Sequence, residues 1–160
     1  MGFYMETVNF KKIMIATDGS ACSRLVADKG IELARLSGGT VYAVYVVSTD
    51  YFAPINGNSF PMSVDPYWKP IREAWEKQGQ QAVNTIKSLG EMKGINVEPV
   101  LLEGNPSEEL IRYAEEVKMD IVIMGTHGKT GLNKLLLGSV AEKLVRHLKV
   151  PVMVVREKCD

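Results

Sequence analysis

The amino-acid sequence predicts an α/β fold: a doubly wound, open sheet of five parallel strands in the order 3-2-1-4-5, with helices on both faces. Apolar segments of strand length recur along the chain, and longer stretches of helical character lie between them. The apolar segments are residues 13–16, 41–47, 97–102, 121–124 and 150–155. They are nearly continuous in valine, isoleucine, leucine and methionine, which is typical of parallel strands covered on both faces. The order 3-2-1-4-5 is the commonest for such a succession.

The ends of the first two helices are predicted from residues that favour caps and turns. Ser20 is a candidate N-cap of the first helix, which the Ser-Gly-Gly sequence at residues 37–39 would end. The second helix is predicted over about residues 70–93, before Gly94, because apolar residues recur there at helical spacing.

The third and fourth helices carry acidic residues near their starts. Glu108 and Glu109 follow Ser107 and suit the positive end of a helix dipole. Residues 139–142, Ser-Val-Ala-Glu, have the form of a capping box. This pattern predicts that the side chain of Ser139 caps the last helix.

Length and composition predict a single domain, residues 1–160. The 19 basic and 19 acidic side chains leave no net charge, and no block of like charge marks a nucleic-acid-binding surface. No apolar run is long enough to cross a membrane. Cys22 and Cys159 fall outside any zinc or C-x-x-C spacing, and such sparse cysteine usage predicts a reducing compartment, the cytoplasm.

The connection from residue 48 to residue 69 is much longer than the usual few residues. It contains Pro54, Pro61 and Pro66 together with several aromatic residues. Long connections serve as lids or partner surfaces, or they are mobile insertions, and both alternatives stay open for this one.

Two loops at the carboxyl ends of strands carry the functional prediction. The first strand ends in Ala-Thr-Asp-Gly at residues 16–19, and the fourth ends in Met-Gly-Thr-His-Gly at residues 124–128. In the order 3-2-1-4-5, these two strands flank the point where the strand order reverses. Ligands of doubly wound sheets bind in the crevice at that point, so both loops are expected to face one site.

The second loop has a spacing that suits phosphate. Gly125 is followed by Gly128 and, after nine intervening residues, by Gly138 and Ser139. Glycines let backbone N–H groups approach phosphate oxygens closely. The start of the following helix adds free N–H groups and a favourable dipole. The loop therefore predicts a phosphate-binding site.

This glycine spacing resembles that of the universal stress protein family, in its ATP-binding branch. The likeness extends through residues 16–20, 104–106, 120–125 and 150–152 and covers nearly the whole chain, apart from the first dozen residues and the 48–69 connection. Ala16 stands where the ATP-binding branch often has proline, which alters the packing of the pocket wall.

The resemblance implies ATP as the ligand, with Asp18 and the backbone of Val46 holding adenine and ribose and the glycine-rich segments holding the triphosphate. Mg²⁺ is expected to accompany the triphosphate, with Asp18 as the nearest carboxylate. The implied nucleotide-binding residues are Ala16, Thr17, Asp18, Val46, Met124, Gly125, Thr126, His127, Gly128, Lys129, Gly138, Ser139 and Val140.

Several of these residues also have simpler interpretations that involve no ligand. Ser139 is alternatively a helix cap alone, and Asp18 a simple turn residue. Lys129 is interpreted as a solvated lysine that visits phosphate, and His127 as a residue of the pocket rim. Cys22 is interpreted as inert packing. A P-loop is excluded, because that motif needs glycine where Ile123 stands.

Three classes of function remain. The leading hypothesis is a regulatory or stress-response protein whose ATP-bound form changes its surface or its affinity for a protein partner. The second is an enzyme that uses ATP, such as a slow ATPase, although the sequence offers no catalytic residue for it. The third is an interaction module without a ligand. A homodimer is expected through the apolar edge strand from Val150 to Val155, as the resemblance also implies.

Overall fold

The computed structural model describes residues 9–50, 68–126 and 137–156. Strands and helices alternate along the chain. In order they are β1 (Lys12–Ala16), α1 (Ser23–Ser37), β2 (Thr40–Ser48), α2 (Trp68–Met92), β3 (Val97–Gly104), α3 (Pro106–Glu116), β4 (Ile121–Gly125), α4 (Ser139–His147) and β5 (Val152–Val155).

The strands form one parallel sheet in the order β3-β2-β1-β4-β5, which confirms the predicted fold class and strand order. β1 pairs with β2 on one side and with β4 on the other, so the strand order reverses between β1 and β4. β3 and β5 are the edge strands. The carboxyl ends of all the strands lie along the same edge of the sheet.

The sheet separates two apolar cores. Helices α1 and α2 cover one face, and their buried residues there are Val26, Ala27, Ile31, Ala34, Val83 and Ile86. Helices α3 and α4 cover the other, with Leu110, Ala114, Ala141 and Leu144. Alternate residues of β1 serve the two cores, since Ile13 and Ile15 belong to the first and Met14 to the second. Burial on both faces explains why residues 13–16 of β1 and the whole of β4 are apolar.

Helix α1 packs closely against β1 at Gly30, which has no side chain to contact Ile15. A Cβ atom added at Gly30 would lie 2.4 Å from Cδ1 of Ile15, so the isoleucine side chain would have to move to admit a larger residue.

The predicted cap of α1 is wrong. The helix begins at Ser23, with Cys22 at the N-cap position and no side-chain hydrogen bond from that residue. Ser20 lies in the preceding turn, where its backbone N–H donates to Oδ1 of Asp18 at 2.9 Å. Asp18 therefore stabilises a turn that includes Ser20, and the helix begins three residues later, at Ser23.

The predicted capping box of α4 is also wrong. Ser139 is the first residue of the helix, and the N-cap position belongs to Gly138, which has no side chain to form the bond. The first intrahelical bond runs from the N–H of Glu142 to the carbonyl of Gly138, at 2.9 Å. The cap therefore lies one residue earlier than the serine pattern predicts.

Two further boundaries, the starts of α2 and β5, differ from the predictions by a few residues, and the structure also defines the start of α3. Helix α2 already begins at Trp68, whose side chain is buried. Helix α3 begins at Pro106, capped by the side chain of Asn105. Strand β5 begins at Val152 rather than Val150, since Pro151 between them has no N–H to donate to a neighbouring strand.

Cys22 takes part in a disulfide, so its interpretation as an inert packed thiol is wrong. The separation of cysteines along a sequence says nothing about their distance in space. Cys159 lies outside the described residues. No helix in the described ranges is both long enough and apolar enough to span a membrane.

Asp120 ties the start of β4 to the start of β1. Its Oδ2 accepts hydrogen bonds from the backbone N–H groups of Lys11, at 2.9 Å, and Lys12, at 2.8 Å. The backbone N–H of Asp120 donates in turn to the carbonyl of Lys12, at 2.9 Å.

We expect the substitution Asp120→Ala to lower the free energy of unfolding by about 1–3 kcal/mol, because two backbone donors lose a charged acceptor. Glu115→Ala, at an exposed position of α3, is the control and should change it by less than about 0.5 kcal/mol. Urea denaturation measures both. Equal effects would show that the Asp120 bonds add nothing to the pairing of β1 and β4.

Candidate functional site

A cavity of about 580 Å³ lies at the carboxyl edge of the sheet. Its walls come from the ends of β1, β2 and β4 and from the first turns of α1, α3 and α4. This is the crevice beside the reversal of strand order, where doubly wound sheets bind ligands. Its volume lies within the usual range for small-molecule sites.

One wall exists because β2 extends beyond β1. Ala16, the last residue of β1, pairs with Val44, whereas β2 runs on to Ser48, which pairs with Gly104 of β3. Four further residues of extended strand correspond to about 13 Å. This overhanging segment of β2 forms a wall that rises above the end of β1.

The lower part of the cavity is apolar. Val44 and Val46 of β2, Met124 of β4, Leu110 of α3 and Val140 of α4 belong to one apolar cluster and also line the cavity. Branched aliphatic and methionine side chains of this kind form a surface against which a flat ring can pack.

The loop after β1 places two polar residues at the base of the cavity. The backbone N–H of Thr17 donates to the carbonyl of Val44 at 3.0 Å, which continues the pairing of the strands. The hydroxyl of Thr17 accepts from the N–H of Gly19 at 3.1 Å, and the chain turns at Gly19 with a φ of 75°. Glycine adopts this φ without strain, so the turn can follow the strand directly.

Asp18 has one oxygen occupied and one unpaired. Its Oδ1 accepts from the N–H of Ser20, as in a simple turn. Its Oδ2 is buried and has no hydrogen-bond partner among the described residues, although the residue lines the cavity. Buried polar atoms nearly always have partners, and an unpaired one calls for an explanation. A ligand that donates a hydrogen bond would satisfy this oxygen.

The opposite wall presents hydrogen-bond donors. The N–H of Gly138 donates to the carbonyl of Thr126 at 2.7 Å, and the N–H of Thr126 donates to the carbonyl of Val155 at 3.1 Å. These bonds hold the start of α4 against the end of β4, and Gly138, Ser139 and Val140 line the cavity. The first N–H groups of a helix have no acceptor within the helix, and its dipole favours an anion there.

A carboxylate stands at the mouth of the cavity on the β2 side. Asp50 follows β2 by two residues and lines the cavity. Its Oδ2 accepts from Nδ2 of Asn105 at 2.9 Å, and Asn105 is the N-cap of α3. Carboxylates therefore lie on the β1 and β2 side of the cavity, and helix N–H groups lie on the β4 side.

The comparison with known proteins agrees with this architecture. The profile of the universal stress protein family matches residues 9–156. The chain belongs to the universal stress protein family. Universal stress protein MJ0531 of Methanocaldococcus jannaschii is 39% identical to it over 150 residues, which cover 92% of this chain and 83% of that protein.

Two solved structures show the same family fold. Universal stress protein MJ0577 of Methanocaldococcus jannaschii is 30% identical over 159 residues, covering 95% of this chain and 98% of that protein. The solved structure of MJ0577 superposes with a TM-score of 0.79, covering 94% of this chain and 99% of that one. A universal stress protein of Archaeoglobus fulgidus, solved in complex with dAMP, superposes with a TM-score of 0.59 at 24% identity, covering 91% and 97%.

Most of the residues predicted for the universal stress protein site line this one cavity. They are Ala16, Thr17, Asp18, Val46, Met124, Gly125, Thr126, Gly138, Ser139 and Val140. His127, Gly128 and Lys129 lie outside the described residues. The described residues of the two predicted loops thus line one cavity, and the role of each residue in binding stays a prediction.

Sequence reasoning missed several lining residues. These are Ser23, Val26, Val44, Tyr45, Val47, Ser48, Asp50, Trp75, Pro106, Leu110 and Ala141. Asp50 carried a usable signal, because it is an acidic residue just after a strand. The α3 residues carried none, since their approach to the cavity depends on how α3 packs on the sheet.

The unpaired Oδ2 of Asp18 is expected to lower the stability of the protein without ligand. In protein freed of nucleotide, we expect Asp18→Asn to raise the free energy of unfolding by about 1 kcal/mol, because a neutral amide costs less to bury than an unpaired carboxylate oxygen. The amide oxygen of asparagine can still accept from Ser20. Thermal or urea unfolding measures the change.

Asp28→Asn is the matched control for this measurement. Asp28 is a partly exposed carboxylate on α1 that pairs with Lys93 at 3.7 Å, outside the cavity, and its substitution should change stability by less than about 0.5 kcal/mol. A clear loss of stability in the Asp18 variant would show that Asp18 is a structural turn residue.

Proposed function

We propose that the protein binds ATP in this cavity and acts as a nucleotide-dependent regulator in a stress response, through an ATP-linked change in its surface or in its affinity for a protein partner. The observation that carries the proposal is the buried, unpaired Oδ2 of Asp18 in the cavity wall. A nucleoside supplies N–H and O–H donors that would pair with it. The cytoplasm remains only a sequence prediction, against which the disulfide at Cys22 weighs.

The two sides of the cavity match the two ends of a nucleotide. The apolar lower wall suits a base, and Asp18 suits the polar atoms of a nucleoside. The N-terminus of α4 suits phosphate, because its N–H groups and dipole favour an anion. Gly125, which lines the cavity at the end of β4, would continue this phosphate cradle. The dAMP complex of the Archaeoglobus fulgidus protein supports nucleotide as the ligand class.

Mg²⁺ fits the proposal as a companion of the triphosphate. This cation typically binds through one or two carboxylates together with substrate phosphates. Because Asp18 is assigned to the nucleoside and not to the phosphates, phosphate oxygens and water would supply the ligands of Mg²⁺ here. The proposal assigns no catalytic residue, so regulation by bound nucleotide is the activity that we propose.

We further propose that two copies of the chain associate through β5. β5 is an edge strand, and Met153 on it is 39% exposed. Val145 of the adjoining helix α4 is 48% exposed. An apolar edge without a protecting charge favours pairing with another strand. A second copy of the same edge would cover both residues.

The nucleotide proposal predicts a loss of affinity in the Asp18→Asn variant. Hydrogen bonds to charged groups are worth about 1.5–3 kcal/mol, so ATP should bind at least about tenfold more weakly than to the unchanged protein. Isothermal titration calorimetry with and without Mg²⁺ measures this. Asp28→Asn should bind as the unchanged protein does. The proposal fails if the unchanged protein binds no nucleotide at millimolar concentration.

The dimer proposal predicts that Met153→Lys produces monomers, because a lysine on an edge strand opposes pairing with a second strand. Light scattering at micromolar concentration gives the mass. Met92→Lys, at a methionine on α2 that is 84% exposed, is the matched control and should leave the dimer intact. A monomer mass for the unchanged protein would contradict the proposal.

A further inference from the structure

We propose that Asp50, oriented by Asn105, binds the ribose hydroxyls of the nucleotide, so that the site selects ribonucleotides whose 2′ and 3′ hydroxyls are free. The inference rests on the proposed function, because it assumes a nucleotide in the cavity. It assigns a role to a carboxylate that the predicted site did not include.

The position of Asp50 is set by the overhanging end of β2. The backbone N–H of Thr49 donates to the carbonyl of Gly104 at 3.2 Å, which carries the pairing of β2 and β3 past the last residue of the strand. The N–H of Asp50 donates to Oγ of Ser48 at 3.3 Å. Asp50 thus stands at the top of the β2 wall, and it lines the cavity.

Asn105 orients the carboxylate of Asp50. Its Oδ1 accepts from the N–H of Glu108, at 3.1 Å, and from the hydroxyl of Ser107, at 2.8 Å. Since the amide oxygen is committed to the start of α3, the amide nitrogen is directed at Asp50, where it donates to Oδ2 at 2.9 Å. Among the described residues, Oδ1 of Asp50 has no hydrogen-bond partner and is available to a ligand.

The charges around the cavity determine which edge of a nucleotide faces Asp50. The N-terminus of α4, on the β4 side, attracts phosphate, whereas Asp18 and Asp50 repel it from the β1 and β2 side. In a nucleotide, the 5′ phosphate and the 2′ and 3′ hydroxyls lie at opposite edges of the ribose. Phosphate at α4 therefore directs the hydroxyls toward β2.

The width of the sheet agrees with this orientation. β2 and β4 are separated by β1 alone, which corresponds to about 10 Å between their axes. A base in the apolar lower part of the cavity would leave the ribose at the mouth, between Asp50 and α4. By analogy, doubly wound dinucleotide-binding domains place an acidic residue on the ribose 2′ hydroxyl.

The chemistry of a carboxylate sets the selectivity. An ionised carboxylate only accepts hydrogen bonds, and ribose hydroxyls donate them. A dideoxynucleotide offers no donor at either position. A phosphate at the 2′ or 3′ position would be repelled, because it places a second negative charge beside Asp50.

The test compares the affinities for ATP and 2′,3′-dideoxy-ATP by isothermal titration calorimetry. We expect the unchanged protein to bind ATP roughly tenfold or more tightly than the dideoxy analogue. In Asp50→Ala this ratio should fall to about one, with the affinity for the analogue nearly unchanged. Glu115→Ala, which removes an exposed carboxylate of α3 outside the cavity, should keep the ratio of the unchanged protein.

Asn105→Ser tests the positioning role separately from folding. Serine caps a helix about as well as asparagine does and adds no charge beside Asp50, so α3 and the melting temperature should be retained. The donor to Asp50 is lost, and we expect the ratio of affinities to fall. An unchanged ratio would show that Asn105 does not orient the carboxylate.

The remaining outcomes separate this inference from the function on which it rests. No binding of either nucleotide to the unchanged protein would overturn both. Binding of ATP and the dideoxy analogue with equal affinity would overturn the role of Asp50 and leave nucleotide binding intact. A preference for ATP that persists in Asp50→Ala would show that another group recognises the hydroxyls.

Discussion

The pairing of β1 with both β2 and β4 is the constraint on which the site depends. It places the reversal of strand order beside β1, so that the carboxyl ends of β1 and β4 open onto the same crevice. It also leaves the last four residues of β2 standing beyond Ala16, where they form a wall. If β2 ended level with β1, the crevice would be shallow, and Asp50 would not lie at its mouth.

Hydrogen-bond donors and carboxylates lie on different sides of the cavity, because the path of the backbone places them there. The N-terminus of α4 offers N–H groups because every helix leaves its first donors unpaired, and the bond from Gly138 to Thr126 directs that end toward β4. The carboxylates of Asp18 and Asp50 follow β1 and β2 instead. A ligand with one anionic end and one end rich in donors fits this arrangement in a single orientation.

The sequence predicted the strand order and the two loops because burial on both faces produces continuous apolar segments that are easy to recognise. It misplaced the caps of α1 and α4. In the first, the carboxylate of Asp18 engages the N–H of Ser20, and in the second, Gly138 takes the cap position beside Ser139. The first is a local competition for one N–H group, which the serine pattern does not resolve. The second depends on a contact made elsewhere in the chain, since the N–H of Gly138 donates to the carbonyl of Thr126. The pair of Asp50 and Asn105, which are 55 residues apart, was out of reach for the same reason.

The central claim is that a nucleotide lies in this cavity with its phosphates at α4, and amide NMR during titration with ATP tests it most directly. The account predicts the largest shifts at the N–H groups of Ser139 and Val140, with further shifts at Asp18 and Val46. The groove between α2 and β3, lined by Glu73, Glu76, Lys77 and Glu103, should be unaffected, since its lining does not include the N-terminus of α4 or Asp18. Shifts confined to that groove, or none at α4 with millimolar ATP, would contradict the account.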